Sequence, residues 1–477
     1  MKTAKILALV LAIALVFSFT GCSLPIPDIF GNNGNGSTGT GNGNGAGNST
    51  SDVNVIMVND NHGILNEDDG SFDKIATGIS QYAEKGEVVK IANGDMFQGT
   101  YVSSSLRGLP MLDALNALDF DAFVVGNHEF DWGFDEMKKY KDGDPTNGEA
   151  EFPFLGANIY DKRTGEMVDW LEPYTVVELD EVKIGIIGII GEVETSIMAS
   201  HVENYDFVEP KEIVKNLAVE LRTEKDCDAV IVAVHGDDDS LNVTLTTYGG
   251  DSKIDGIFTG HTHQPTDEEI TRPDGSSVCI LQNGGYGDSF ANLTLKFDDE
   301  GNLKDTDGRL NYTHNYKSTG ILADVFAKYA EQMAIGDTVL CTNDEEISRY
   351  DVGILVAQAM HLTFETDLAV INSGGVRTSI DAGEVTYADL FQVLPFENEV
   401  YIVTLTGENL KSYLDNSGGI YYWGIDLNSI EDGEDYSLAI VDYVYLGYTF
   451  NDYRNDSCVD TNELIRDVFI DMVKAAN

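Results

Sequence analysis

Six short apolar runs punctuate the chain between residues 53 and 260, and five of them finish in histidine, aspartate or asparagine. The runs are VNVIMV (53–58), VVKIA (88–92), AFVV (122–125), KIGIIGII (183–190), AVIVAV (229–234) and DGIFTG (255–260). Continuous apolar runs of this length read as strands buried on both faces. Segments with apolar residues three and four apart, such as 72–85 and 210–225, separate them and read as helices, so the pattern predicts an α/β domain. In an open α/β sheet, ligands bind in the crevice beyond the carboxyl ends of the strands. The tips here carry Asp60 and His62, then Asp95, then Asn127 and His128, then His235, and finally His261 and His263. A lone histidine at a strand end is more often a satisfied surface or core group than a ligand. Five of the chain's eight histidines at such tips point instead to one shared site. Asp60 with His62, and His261 with His263, are two apart, and in extended chain such pairs face the same side.

The donor set is carboxylate oxygen, amide oxygen and imidazole nitrogen, with no thiolate, which suits hard or borderline divalent ions. Seven side chains offering eight ligand positions fit two metals that share one carboxylate. Asp95 is the natural bridge.

The 477 residues exceed what one hydrophobic core usually organises, so two domains are expected. A formal charge of −52, from 81 acidic and 29 basic residues, excludes polymeric nucleic acid or an anionic membrane surface as the main partner. It fits a soluble exported surface, or carboxylates gathered to hold cations. Lys2 and Lys5 precede an apolar run over 6–19, which reads as a signal-peptide core. The run ends FTGC, a pattern that resembles a bacterial lipobox, with Cys22 as the lipidated first residue of the mature protein; ordinary secretion with release is the alternative. Residues 23–51 then read as a Gly/Asn/Ser-rich linker. Cys227, Cys279, Cys341 and Cys458 are widely spaced and read as isolated thiols, a disulfide being the other option. Beyond residue 320 the patterns predict a connecting helix at 321–333, helices at 353–364, 387–394 and 463–475, and strands at 368–372 and 400–405.

D-x-H (Asp60, His62), G-D (Gly94, Asp95), G-N-H-E (Gly126 to Glu129), H-G (His235, Gly236) and G-H-T-H (Gly260 to His263) occur in the order found in calcineurin-like metallophosphatases. More narrowly, ND-x-HG, GNHEFDWG and GHTHQ resemble the bacterial 5′-nucleotidase/UDP-sugar hydrolase family, over residues 52–475. The resemblance implies an αββα sandwich at 52–315, a connecting helix at 316–335 and a smaller α+β substrate-binding domain at 336–477. It implies one metal held by Asp60, His62, Asp95 and His263, and a second held by Asp95, Asn127, His235 and His261. Mn or Zn is expected, with Co and Fe also compatible with the donors. His128 would face the phosphate, oriented by Asp131, which read alone could simply cap a turn.

In the second domain the resemblance makes Asn372, Arg377 and Phe396 substrate contacts, through NSGGVR (372–377) and LPFEN (394–398). Read without it, Phe396 is a core residue and Arg377 a partner for Asp381. Arg349 stands near the place of a phosphate-binding arginine, although SRYDVGILV is shorter than the family pattern. VYLGYTFNDY (444–453) replaces the family's second stacking loop, leaving Tyr448 and Phe450 as candidates. The activity implied is that of a dimetal phosphoesterase, lipid-anchored on the outer face of a bacterial membrane. It would release phosphate from nucleoside 5′-monophosphates by attack of a metal-activated hydroxide. Cyclic-nucleotide, UDP-sugar or sulfur-ester hydrolysis are alternatives, as is a nucleotide- or metal-binding lipoprotein without turnover.

Overall fold

The computed structural model describes residues 52–65, 71–272 and 274–476. The signal-like run, Cys22 and the 23–51 linker lie outside the described residues. Two six-stranded sheets form the N-terminal unit. In the first, Val53–Val58, Glu87–Asn93, Ala122–Val124 and Phe154–Leu155 run parallel, and Ser289–Phe297 and Leu303–Tyr312 close one side antiparallel. In the second, Lys183–Ile190, Ala229–His235, Gly256–Phe258 and Ser277–Gln282 run parallel between the antiparallel edges Tyr174–Glu178 and Thr266–Thr271.

Strand alternation explains how the layers stack. Val53, Val55 and Met57 face Ala229, Ile231 and Ala233 in the core between the sheets. Ile56 and Val58 turn the other way, onto Phe72, Ile75 and Ile79 of the helix Phe72–Ala83. Val230, Val232 and Val234 likewise meet Val214, Ala218 and Leu221 of the helix Lys211–Thr223. Every strand of these runs is therefore covered on both faces, which is why the sequence shows unbroken apolar stretches. The result is a helix–sheet–sheet–helix sandwich with the carboxyl ends of its parallel strands at one rim.

The C-terminal unit is a five-stranded mixed sheet, in the order Ile420–Gly424, Leu368–Asn372, Asp435–Val441, Glu399–Thr406, Val459–Leu464. The helix Arg349–Phe364 lies across its first two strands and against the helix Ile465–Ala476. Gly353 permits that contact, since a Cβ there would fall 2.1 Å from the Tyr421 ring. Three expectations are corrected here. The connecting helix is broken at Tyr329 into Ala323–Lys328 and Ala330–Gly336. The helix expected from 353 begins at Arg349, because the Ser348 side chain accepts the Asp351 amide and caps it earlier. The last helix starts at Ile465, as Val459–Leu464 pairs with Glu399–Thr406 as a strand. Among the described residues Cys227, Cys279, Cys341 and Cys458 form no disulfide.

Asp73 fastens the connecting segment to the sandwich. Its carboxylate accepts the amides of Thr319, Gly320 and Leu322 at 2.7, 2.7 and 2.8 Å, and the Ser318 hydroxyl. Burial raises the carboxyl's pKa, but these four hydrogen bonds outweigh it and hold the value below the ordinary one. Asp73→Ala should cost about 3 kcal/mol of stability in urea unfolding at neutral pH. A depressed folded-state pKa gives a contribution that is full above the unfolded value and drains as pH falls through the folded one. The difference between Asp73→Ala and wild type should therefore shrink on acidification.

Candidate metal centre between the two domains

The strand tips converge. Oxygen and nitrogen atoms of Asp60, His62 and His263 lie within 4.8 Å of one another, as do those of Asp95, His235 and His261, and those of His62, Asp95 and His128. Asp95 belongs to two of these groups. Asn127 joins the second, with its Oδ1 at 3.2 Å from His235 Nε2 and 2.8 Å from His261 Nδ1.

The reason for convergence differs from the extended-chain expectation. Asp60, His62, Asp95, His261 and His263 all have left-handed backbone, with φ of 51°, 54°, 53°, 75° and 55°. Each costs roughly 1–2 kcal/mol for a residue with a Cβ. Neighbouring tips hold one another in place: the amides of Asp60, His62 and Gly63 donate to the carbonyls of Gly94, Asp95 and Met96 at 3.0, 3.0 and 2.8 Å. Asp60 and His62 stay in one group, but His261 and His263 split, since His263 joins Asp60 while His261 joins Asn127. Gly94 serves close approach, because a Cβ there would lie 2.2 Å from the His235 ring.

Carbonyl oxygens fix the tautomers. His62 Nδ1 donates to Gln98 O at 3.0 Å and His235 Nδ1 to Asn93 O at 2.8 Å. A carbonyl only accepts, so both rings carry a proton on Nδ1 and turn Nε2 inward. His62 Nε2 then lies 3.2 Å from His263 Nε2, and His263 Nε2 lies 3.2 Å from Asp60 Oδ1. That Asp60 oxygen is fully buried and makes no hydrogen bond. Two imidazole nitrogens and an orphaned carboxylate oxygen facing one another fit a divalent cation.

The electrostatics agree. Burial opposes charge on His235, yet Asp95 and Asp60 raise its pKa to about 10. The pocket thus draws in positive charge. Burial and the neighbouring His235 lower His261 to about 4, and burial with His128 lowers His62 well below its ordinary value. Both shifts favour the neutral imidazole, the form that can offer a lone pair.

His128 is held differently from the other four clustered histidines. Its Nδ1 bonds Asp131 Oδ2 at 2.7 Å, and its amide donates to Asp95 Oδ1 at 2.8 Å. Burial disfavours the imidazolium, but Asp131 and Asp95 raise the pKa above its usual value.

Both domains line the cleft, whose volume is about 660 Å³. Asn372, Arg377, Arg349 and Phe396 reach it from the C-terminal unit. Phe396 is half-buried and lies parallel to the His128 ring, 5.5 Å between centroids, so it is not a core residue. Arg377 donates to the Tyr286 hydroxyl rather than to Asp381. Arg349 is engaged partly by its own domain, donating to Val376 O and Ser373 O at 2.6 and 2.8 Å. Phe450 is corrected outright: it is fully buried against Tyr413 and Tyr445, with no face left for a ligand. Tyr448 is 64% exposed and does not line the cleft, whereas Tyr443 does.

Glu129 and Tyr286 carry no role in the sequence reading. Glu129, fully buried, accepts the amides of Asp95, Met96 and Gly126 and so ties two tips together. Burial and Asp95 raise its pKa to about 7. It lies inside the G-N-H-E motif. Tyr286 follows a further apolar run, VCILQNGG (278–285), whose polar ending is the same kind of signal.

Residues 53–265 match the calcineurin-like phosphoesterase family, and residues 330–454 match the 5′-nucleotidase C-terminal domain. A 5′-nucleotidase of Vibrio vulnificus (strain CMCP6) is 29% identical over 384 residues, covering 70% of this chain and 68% of that protein. Cell wall protein Lmo0130 of Listeria monocytogenes serovar 1/2a is 23% identical over 531 residues, covering 88% of this chain and 67% of that protein. The fold is also that of a 5′-nucleotidase precursor from Thermus thermophilus, with a TM-score of 0.75, 21% identity and coverage of 89% of this chain and 96% of that one. The sandwich and its donor cluster define a metal-dependent phosphoester hydrolase. The chain belongs to the 5′-nucleotidase family, joining the calcineurin-like catalytic fold to that family's C-terminal domain.

Proposed function

We propose that this chain removes phosphate from nucleoside 5′-monophosphates. The observation that carries the reading is the pairing of the buried donor cluster with His128 and Arg377 across a single cleft. Asp60, His62, Asp95 and His263 would hold one divalent ion, and Asp95, Asn127, His235 and His261 the other. Manganese or zinc suits these donors best, with cobalt and iron also accepted. Bound there, such a pair supplies Lewis acidity toward phosphoryl oxygens and makes water a nucleophile at neutral pH.

The chain's own groups do the rest. His128, kept protonated by Asp131, offers its Nε2 proton to the leaving oxygen or to developing negative charge. Arg377 and Asn372 receive the phosphate from the opposite wall, where guanidinium geometry matches oxyanions. Phe396 presents an aromatic ring at the mouth of the same cleft, a surface suited to a nucleobase. A non-catalytic binding protein would have no use for a histidine–aspartate pair beside the donors.

Phosphate release from AMP should stop on chelation and return with Mn²⁺ or Zn²⁺, measured beside UDP-glucose and bis-p-nitrophenyl phosphate. If only the latter two are hydrolysed, the monoester reading fails. Anchoring at Cys22 on the outer face of the membrane is part of the same proposal. It is supported by the FTGC stretch and the Gly/Asn-rich linker, and radiolabelled palmitate incorporation that survives Cys22→Ala would refute it. Among the described residues no helix is long and apolar enough to cross a membrane.

A further inference from the structure

We propose that Tyr286 is a positioning residue that fastens Arg377 over the Asp60–His62–His263 cluster, so that the guanidinium meets the phosphoryl group beside it. The inference rests on the phosphomonoester reading above and names one determinant of it. Tyr286 touches every member of that cluster. Its ring lies over His62, with 4.9 Å between centroids and 27° between planes. It meets His263 edge-on at 5.1 Å and 82°. Its amide donates to Asp60 O at 2.7 Å.

The residue is held there at a cost. Its φ is 60°, in the left-handed region that residues with a Cβ seldom adopt. At the preceding position a Cβ would lie 2.8 Å from His263 Nδ1, so Gly285 lets the loop pass close to the ligand ring. Core packing does not explain the arrangement, because Tyr286 is 39% exposed and lines the cleft.

The outward end of the side chain supplies the link. Arg377 Nη2 donates to the Tyr286 hydroxyl at 3.2 Å, from the other domain. The same guanidinium sits 5.7 Å from the centre of the Phe396 ring, which in turn lies against His128. Tyr286, Arg377, Phe396 and His128 thus form a continuous arc from the donor cluster to the proton donor. Arg349 cannot replace Arg377 in this arc, as its Nε and Nη2 already serve the carbonyls of its own domain. A neutral hydroxyl can orient the guanidinium without cancelling its charge, which leaves the charge for the anion.

The test uses the full chain loaded with manganese, as wild type, Y286F, R377A and the double variant. Metal content, AMP kinetics and calorimetric titration with inorganic phosphate are measured on each. Phenylalanine keeps the ring against His62, so metal content should stay at the wild-type level. Loss of the hydroxyl should raise KM for AMP and Kd for phosphate about tenfold, with kcat within about twofold. R377A should weaken both at least as much, and adding Y286F to it should change nothing further. The inference is overturned if Y286F binds phosphate like wild type while R377A does not. It is equally overturned if the two effects multiply, or if wild type binds no phosphate. Should wild type hydrolyse no nucleotide, the functional reading falls alone, because the phosphate titrations still decide the coupling.

Discussion

Replacing Asp95 with alanine should strip the protein of bound metal and lower kcat/KM for AMP by about a thousandfold or more. The carboxylate serves partners on several strand tips at once. One oxygen lies 3.3 Å from His235 Nε2 and 3.9 Å from His128 Nε2. The other accepts the His128 amide at 2.8 Å. Burial works against its charge, yet His235 and His128 hold its pKa well below the carboxylate range. Removing it takes a donor from each of the two proposed ion sites. The check is metal content by plasma emission alongside turnover. An Asp95→Ala protein that retains two ions per chain would show the bridge to be misassigned.

His128→Ala should behave oppositely with respect to metal. Content should match wild type, while kcat falls by about 10²–10⁴-fold, the usual range for a positioned acid. His128 does sit among possible ligands, within one group with His62 and Asp95, so the outcome is informative. Its Nδ1 is committed to Asp131, and only Nε2 remains for the reaction. A raised pKa means that the protonated form persists below that value and is lost as pH rises through it. Asp131→Asn removes the nearest support for the charge. The alkaline limb of the kcat profile should then move to lower pH. Loss of metal in His128→Ala would return the histidine to the ligands and end its role as acid.

The sandwich was legible because its strands are covered on both faces and so advertise themselves as unbroken apolar runs. The donor residues were legible because each follows such a run. What the sequence could not convey is how the backbone presents them. The expectation of extended pairs at Asp60/His62 and His261/His263 named residues that do come together, but by a different geometry, since left-handed turns do the presenting. Those turns depend on amide–carbonyl pairing between tips far apart in sequence, which no local pattern encodes. Phe450 failed for a related reason. An aromatic in a loop-like stretch reads the same whether it faces a ligand or Tyr413, and only the packed domain distinguishes them. Glu129 escaped because its work is done on backbone amides, which leave no trace in residue type.

The cleft's two walls come from separate folding units. Everything proposed to grip an ion, and the acid with it, is written before residue 264; Arg377, Asn372 and Phe396 are written more than a hundred positions later. The ion-gripping groups and the groups facing them can therefore vary separately, except where Tyr286 and Arg377 tie one wall to the other. Lineages descending from such a gene can trade much of one wall while inheriting the other, provided that tie is kept.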